Sequence, residues 1–140
     1  HCHACRDGRY QACRGHGGMF GYAYVPIPRQ PGLWGAYADY MYLHPNAIVH
    51  RMRKDLPAST AALFNPLGAG FRWAVELPDT GPGDAVLILG PGQRGLASVI
   101  AARAAGADTI IVTGLARDAE KLALARELGA DHTIDVESED

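Results

Sequence analysis

The sequence predicts an α/β protein that ends in a β-α-β-α-β unit, the first half of a doubly wound parallel sheet. This prediction depends on two continuous apolar runs, at 85–89 and 109–113, which are typical of strands buried on both faces of a parallel sheet. Helical patterns follow them at about 94–105 and 118–128, each with a glycine just past its end, and 132–135 is expected to be a third strand. Right-handed crossovers would place the three strands side by side.

The N-terminal part of the chain has a different character. Residues 1–18 are rich in Cys, His, Arg and Gly and show no apolar periodicity. Such a segment cannot bury enough apolar surface to order itself, so something else must hold it. Two short strands are expected near 36–43 and 47–51, in an antiparallel context, because β-prone residues there are interrupted by Pro45.

Two helices are expected between these strands and the first strand of the parallel sheet. The first covers about 57–64 and stops before Pro66, which lacks an N–H and biases the preceding residue away from helical geometry. The second begins at Pro66, with Asn65 as its N-cap, and runs to about Glu76.

The composition excludes several classes of function. It is that of a globular protein, with 48% hydrophobic and 20% charged residues. Thirteen basic residues against fifteen acidic ones give a formal net charge of −2, which argues against a nucleic-acid partner. No apolar run approaches the roughly 20 residues of a membrane-spanning helix, so no membrane association is expected. Three cysteines clustered at the N-terminus suit a reducing, cytoplasmic compartment better than a disulfide framework.

The chain is expected to be a piece of a longer protein. It does not start with Met, and it carries three predicted strands of the parallel sheet where a complete dinucleotide domain has about six. Half a sheet would expose an apolar edge. We therefore expect the 140-residue piece to be inactive on its own.

A glycine-rich turn joins the first predicted parallel strand to its helix, with the sequence Gly90-Pro91-Gly92-Gln93-Arg94-Gly95. The pattern G-x-G-x-x-G is informative in this strand–turn–helix context. Its first glycine permits the tight turn, the second lets a pyrophosphate approach the backbone, and the third lets the helix pack close to the strand. These six residues are the predicted cofactor-binding residues. The alternative is a plain glycine-rich turn of another α/β protein.

The end of the second predicted strand bears on the choice of nucleotide. A dinucleotide site selective for NAD carries an acidic residue there, about 20 residues past the glycine turn, that binds the ribose 2′-hydroxyl. This sequence reads Thr113-Gly114-Leu115-Ala116-Arg117 and has no acid at that point. Gly114 leaves room and Arg117 is suited to a 2′-phosphate, which favours NADP. Alternatively, Arg117 is a solvated residue before a helix.

Cys2, Cys5 and Cys13 present three thiols at spacings that let a short loop surround one ion. Zn²⁺ in a closed structural site takes four ligands. His16, or a residue preceding the chain, is a candidate for the fourth. The alternative is three free cysteines in a surface loop, although a segment without core-forming residues would need metal-binding free energy to fold.

Five segments of the chain follow one another in a distinctive order: Cys2–Cys13, Trp34–Tyr40, Ala61–Leu67, Gly90–Gly95 and Glu127–Asp131. In this order they resemble the structural zinc lobe, the "G-x-Y-A-E-Y" stretch, the entry to the cofactor domain, the dinucleotide turn and the end of the second helix of the β-α-β-α-β unit in one superfamily. That superfamily is the medium-chain dehydrogenase/reductase superfamily, in its zinc-type alcohol dehydrogenase branch. The resemblance covers essentially the whole chain.

The resemblance implies a fold of two parts. Residues 1–56 would be part of a GroES-like, β-rich catalytic domain that includes the structural zinc lobe at 1–18. Residues 57–140 would be linking helices and the N-terminal half of a Rossmann domain. The family's lobe has four cysteines spaced C-x2-C-x2-C-x7-C. Matching Cys2, Cys5 and Cys13 to the last three puts the first cysteine before residue 1, which weakens His16 as a ligand.

The resemblance also implies hydride transfer between NAD(P) and a small alcohol or carbonyl substrate, in an enzyme that is a homodimer or homotetramer. Two of the family's catalytic zinc ligands would precede residue 1, and the third falls on Asn65, a poor zinc ligand. Asn65 is therefore a helix cap, a residue that binds substrate or water near the zinc, or a sign that the catalytic zinc is lost. In the last case the enzyme would be a zinc-free NADPH-dependent enone or quinone reductase. A non-catalytic zinc-knuckle binding module is the alternative outside enzymology.

Overall fold

The computed structural model describes residues 2–13, 21–22, 24–45 and 47–138. The chain forms two compact units, His1–Arg51 and Met52–Asp140. His16, the candidate fourth zinc ligand, lies outside the described residues. Within the described part of the chain, no helix is both long and apolar enough to cross a bilayer.

The N-terminal unit contains little regular structure in its described residues. Its elements are the short helix α1, His3–Arg6, and a 3₁₀ turn, Tyr10–Ala12. The two predicted strands at 36–43 and 47–51 are wrong, because no described residue there is assigned to a strand. Composition favours an extended backbone, but a strand also needs a partner that forms a hydrogen-bonded ladder. In 36–43 the described backbone bond is a single one, from Tyr42 N–H to the carbonyl of Leu33 (2.9 Å).

The C-terminal unit opens with helices. Helix α2 covers Ala58–Ala61 and helix α3 covers Phe64–Phe71. A π-helical turn, Arg72–Glu76, follows α3 directly, so helical backbone ends at Glu76 as predicted. Helix α3 packs against the first helix of the parallel unit at Gly70, where an added Cβ would lie 2.6 Å from the carbonyl group of Ala97.

The prediction that Asn65 is an N-cap is wrong. Helix α3 begins earlier, with Leu63 as its N-cap and Asn65 as its second residue. The N–H of Leu67 donates to the carbonyl of Leu63 (3.0 Å), which fixes the earlier start. Pro66 is tolerated inside the first turn because the amides of that turn have no intrahelical acceptor.

The rest of this unit is the predicted β-α-β-α-β arrangement, which is confirmed. Its elements are β1 (Ala85–Leu89), α4 (Gln93–Ala105), β2 (Thr109–Gly114), α5 (Ala119–Glu127) and β3 (His132–Asp135). A 3₁₀ turn, Ala116–Asp118, precedes α5. The strands are parallel in the order β1-β2-β3, with Leu89 paired to Thr113 and Gly114 paired to Asp135. Their carboxyl ends therefore lie along one edge of the sheet.

The core of this unit lies between the sheet and the helices. Its largest fully buried side chains are Ile110, Val99 and Val112. The expectation that β1 is buried on both faces is wrong: Ile88 is 8% exposed, whereas Leu87 and Leu89 are 59% and 78% exposed. Successive side chains of a strand point to opposite faces, so the described elements of this unit cover one face of β1.

An exposed ion pair at the edge of the core ties both helices to the sheet. Arg103 of α4 donates from Nε and Nη2 to the carbonyl of Gly129, the residue that ends the α5 segment with φ +117°. Arg103 Nη2 also lies 2.6 Å from Asp131 Oδ2, which accepts the N–H of Ile110 at 2.8 Å. The hydrogen bond from Ile110 and the one from Arg103 hold the pKa of Asp131 below its usual value.

Candidate functional site

The glycine turn stands at the carboxyl end of β1 and leads into α4. Gly90 has φ +94°, a backbone conformation that side-chain-bearing residues rarely adopt. Its N–H donates to the carbonyl of Thr113 (3.0 Å), which ties the turn to the neighbouring strand β2. Pro91 is buried beneath the turn, while Gly92 is exposed. The predicted tight turn is therefore present, and β2 supports it.

Gly95 allows α4 to approach the turn closely. A Cβ added at Gly95 would lie 2.0 Å from the carbonyl oxygen of Gly90 and 3.2 Å from its carbonyl carbon. Real atoms do not approach that closely, and both atoms belong to rigid backbone. Any side chain at position 95 would push the first turn of α4 away from β1.

Gly92 faces open space instead. It is the N-cap of α4 and has extended geometry (φ −69°, ψ 173°). As a glycine, it has no side chain to accept a hydrogen bond from the first amides of the helix. A Cβ added there would meet no atom within 4 Å. The amides of Gln93, Arg94 and Gly95 are in the first turn and have no intrahelical acceptor. With the positive end of the helix dipole, they form a backbone cradle open to a phosphate anion.

Arg94 adds a fixed positive charge beside this cradle. Its Cζ lies 5.1 Å from the ring centroid of Trp73, a residue of the π-helical turn. Both side chains line a groove of about 490 Å³ beside β1. Stacking on an aromatic ring restrains the guanidinium, so less freedom is lost when it meets an anion.

The end of β2 is packed more tightly than the sequence suggests. Gly114 is buried, and a Cβ at this position would lie 3.1 Å from a methyl carbon of Leu122. Arg117, in the following 3₁₀ turn, is exposed and makes no hydrogen bond or ion pair with any described residue. Asp118 bonds Lys121 (2.7 Å), and this contact is the main reason that the pKa of Asp118 lies below its usual value.

One contact in this region has no signal in the sequence. The N–H of Ala116 donates to Oε2 of Glu137 (3.0 Å), a residue from the turn after β3. The two residues are 21 positions apart, so only the parallel pairing of β2 and β3 brings them together. A carboxylate is therefore present at the end of β2, although no acidic residue occurs there in the sequence.

The three cysteines converge in the N-terminal unit. Cys2 is the N-cap of α1, Cys5 lies within α1, and Cys13 follows the 3₁₀ turn. Cys2 Sγ lies 3.7 Å from Cys5 Sγ and 3.8 Å from Cys13 Sγ, and all three sulfur atoms lie within 4.8 Å of one another. The N–H of Arg9 donates to the carbonyl of Ala4 (2.8 Å), which turns the chain back towards α1.

These distances fit a zinc ion. Four thiolates at zinc–sulfur distances of about 2.3 Å in a tetrahedron lie about 3.8 Å apart. The cysteines are half-buried and form no disulfide, and their mutual contact, chiefly between Cys5 and Cys13, raises the pKa of Cys5 to about 11. The Cys5 thiol therefore resists ionisation unless a cation neutralises the charge of its thiolate. Cys2, Cys5 and Cys13 would supply three corners of the tetrahedron.

His3, the histidine next to Cys2, does not join this cluster. His3 contacts the carboxylate of Asp7 through Nδ1 (3.0 Å), and Arg9 contacts the same carboxylate (3.0 Å). Asn65 is exposed on the first turn of α3. Among the described residues, the three cysteines form the only group of three or more His, Cys, Asp or Glu side chains close enough to share a metal ion.

Comparison with known sequences yields dehydrogenases over nearly the whole chain, although no family model matches. A probable alcohol dehydrogenase of Mycobacterium tuberculosis is 52% identical over 140 residues, which are 99% of this chain and 38% of that protein. Sorbitol dehydrogenase of Bacillus subtilis is 33% identical over 139 residues, which are 99% of this chain and 36% of that protein. The chain thus spans little more than a third of the length of these relatives.

Solved structures agree with the sequence comparison. An alcohol dehydrogenase from Thermotoga maritima superposes with a TM-score of 0.77 at 28% identity. The matched region is all of this chain and 38% of the Thermotoga chain. An Escherichia coli oxidoreductase/dehydrogenase of unknown specificity gives a TM-score of 0.74 at 30% identity, over all of this chain and 37% of its own. Both likenesses cover the cysteine cluster and the glycine turn. Together with the sequence matches, they show that the chain is similar over its whole length to members of the medium-chain dehydrogenase/reductase superfamily, in its zinc-type alcohol dehydrogenase branch.

Proposed function

We propose that the protein is an NAD(P)-dependent oxidoreductase that transfers a hydride between the nicotinamide and a small alcohol or carbonyl substrate. The observation that carries the proposal is the backbone cradle at the carboxyl end of β1. Gly95 lets α4 approach within contact of Gly90, and the space in front of Gly92 is open. The names of the relatives, alcohol and sorbitol dehydrogenases, support the same chemistry.

The chain's own residues have three tasks in this proposal. The amides of Gln93, Arg94 and Gly95 bind the diphosphate, with Gly90 and Pro91 shaping the turn and Gly92 leaving space for the phosphates. The guanidinium of Arg94, restrained by Trp73, neutralises phosphate charge. When bound, NAD(P) supplies or accepts the hydride, and the protein sets its position and surroundings.

The ribose end of the nucleotide would lie over the end of β2. Gly114 has no acidic side chain, and the guanidinium of Arg117 forms no hydrogen bond or ion pair with a described residue. A 2′-phosphate would supply an ion-pair partner, which supports NADP as the preferred nucleotide.

We also propose that Cys2, Cys5 and Cys13 hold a structural zinc ion. The support is the pair of sulfur–sulfur distances, 3.7 and 3.8 Å. The bonds between zinc and these thiolates would order the N-terminal loop, which has too few apolar residues to order itself. Thiols of this kind stay reduced in a cytoplasmic compartment, which supports a cytoplasmic location. By its resemblance to the family, the protein would be a homodimer or homotetramer, which sedimentation can test.

A zinc-free enone or quinone reductase is a second candidate. The observation that favours it is Asn65, which stands where the family has its third catalytic zinc ligand and is not the N-cap of α3. A neutral amide is a weak ligand for zinc. Zinc content separates the candidates, because the dehydrogenase needs a catalytic ion beyond the structural one and the reductase does not.

Nucleotide titration tests the proposal. The full-length protein is titrated with NADH and with NADPH, and binding is followed by nicotinamide fluorescence. We expect saturable binding of at least one nucleotide. Binding of neither would overturn the oxidoreductase and favour a zinc-knuckle module that acts through other partners.

A further inference from the structure

Glu137 presents a carboxylate at the edge of the sheet where the nucleotide ribose is expected. Its Oε2 accepts the N–H of Ala116 in the turn after β2, at 3.0 Å. Its own N–H donates to Asp135 Oδ1 (3.1 Å), and the hydroxyl of Ser138 donates to Asp135 Oδ2 (2.9 Å). The turn that carries Glu137 is therefore fixed at its base by Asp135.

Strand pairing places this carboxylate next to the proposed cofactor site. Gly114 pairs with Asp135, so the loops after β2 and β3 leave the sheet from adjacent points. The glycine turn leaves from the same edge, because Gly90 N–H binds the carbonyl of Thr113. In dinucleotide folds, ligands lie across this carboxyl edge, and a carboxylate beside the second strand binds the ribose 2′-hydroxyl.

The charged groups around the loop leave two side chains to face a ribose. Asp118 is engaged by Lys121 at 2.7 Å. Arg117 forms no ion pair within the described residues, and Glu137 meets a backbone amide rather than a cation. The loop thus offers a guanidinium without a hydrogen bond or ion pair to a described residue, although its charge also acts on Asp118, and a carboxylate that meets no cation. The two charges have opposite effects on a 2′-phosphate.

We infer that Glu137 is a specificity-determining residue of the nucleotide site, one that supplies from the β3 turn the carboxylate missing from the end of β2. The inference rests on the proposed function. The carboxylate accepts a hydrogen bond from the 2′-hydroxyl of NAD and repels the 2′-phosphate of NADP. Arg117 attracts that phosphate, so the preference between the nucleotides is set by the balance of these two residues and not by Arg117 alone.

The test compares E137Q with the wild type in the full-length protein, by fluorescence titration with NADH and NADPH. Glutamine keeps the size of the side chain and an oxygen for the Ala116 amide, so the substitution removes mainly charge. We expect the Kd for NADPH to fall by on the order of tenfold, as removal of a like charge within a few ångströms predicts. NADH binding is expected to be unchanged or weaker.

A matched variant controls for the general surface charge. E120Q removes the same charge from the first turn of α5, where the carboxylate makes no hydrogen bond with a described residue. We expect it to leave the ratio of the two dissociation constants unchanged. The opposite substitution, R117Q, is expected to weaken NADPH binding and to spare NADH.

The outcomes separate this inference from the proposed function. If the wild type binds nucleotide and E137Q leaves the Kd for NADPH unchanged, with an unchanged unfolding midpoint, the inference is overturned and the oxidoreductase stands. If E120Q and E137Q tighten NADPH binding equally, the effect is one of overall charge and the inference is again overturned. If the wild type binds neither nucleotide, both are wrong.

Discussion

The backbones of Gly95 and Gly90 lie so close that no methyl group fits between them: a Cβ built on Gly95 would lie 2.0 Å from the carbonyl oxygen of Gly90. Gly90 in turn has φ +94° and binds the end of β2 through its N–H. The first turn of α4 can therefore pack directly against the end of β1 only because Gly95 has no side chain. The orientation of its free amides towards an anion follows from this contact.

We predict that G95A destabilises the protein and abolishes nucleotide binding. The methyl group meets backbone atoms that cannot rotate away, so α4 must shift, at a cost of about 1–3 kcal/mol in the free energy of unfolding. The same shift moves the amides away from the diphosphate. Urea unfolding and NADPH titration measure the two effects.

Gly68 provides the control for this substitution. It is also helical, in α3, but a Cβ added there meets no atom within 4 Å. G68A should therefore leave nucleotide binding unchanged and stabilise the helix slightly, by up to about 1 kcal/mol. Equal losses of binding in G95A and G68A would contradict the steric explanation.

A second prediction concerns pH and Asp131. Its folded pKa is depressed, so ionised Asp131 stabilises the protein above its unfolded pKa, about 3.9, and this contribution is lost as the pH falls through the lower folded value. D131N should lower the unfolding temperature at pH 7, because Arg103 and the Ile110 N–H lose a charged acceptor. The difference from wild type should shrink as the pH is lowered through that range.

Calorimetry from pH 7 towards pH 3 measures this difference. D108N is a matched control, since Asp108 directly precedes β2 as Asp131 precedes β3, and its carboxylate accepts no hydrogen bond from a described residue. A D131N variant as stable as the wild type at pH 7 would show that the ion pair with Arg103 contributes nothing.

The third prediction concerns the metal. We expect the purified protein to contain zinc, and C5S to lose the structural ion, because the three cysteines are within 4.8 Å of one another. A chelator should lower the unfolding temperature of the wild type, since metal-binding free energy contributes to folding. Zinc analysis by atomic emission and thermal unfolding with and without chelator measure both effects.

H3A is the control for the cysteine substitution. His3 is adjacent to Cys2 in sequence, but its ring contacts Asp7 at 3.0 Å. The variant should keep its zinc. Loss of zinc from H3A as complete as from C5S would assign a ligand role to His3 and contradict the arrangement described above.

Sequence patterns predicted the elements that depend on local interactions, and they failed where an element depends on residues distant in the sequence. The strands at 85–89 and 109–114 and the ends of α4 and α5 were predictable, because apolar runs and terminal glycines are local signals. The two N-terminal strands were not, because a strand requires a partner distant in sequence. Asn65 was misplaced as a cap because capping patterns fix a helix boundary only to within a few residues.

The candidate site divides in the same way. The glycine turn and the three cysteines carry spacing signals, and the structure brings each set together as those spacings predict. The contact of Glu137 with Ala116 depends on parallel pairing across 21 residues, and the stacking of Arg94 on Trp73 depends on helix packing. Neither contact has a spacing pattern in the sequence, so neither could be predicted before the fold was known.

The last prediction tests whether Arg94 acts on the nucleotide or only packs on Trp73. Its guanidinium is exposed and lies 5.1 Å from the indole centroid, beside the amides of the cradle. R94Q should weaken NADH and NADPH binding alike, by roughly tenfold, because a charge-assisted hydrogen bond to the shared diphosphate is lost. W73L should cause a smaller loss, since the charge remains but is less restrained. R126Q, which removes a positive charge from the last turn of α5, should leave both affinities unchanged. If R94Q binds both nucleotides as tightly as the wild type, the backbone amides alone hold the diphosphate and the stacking of Arg94 serves stability.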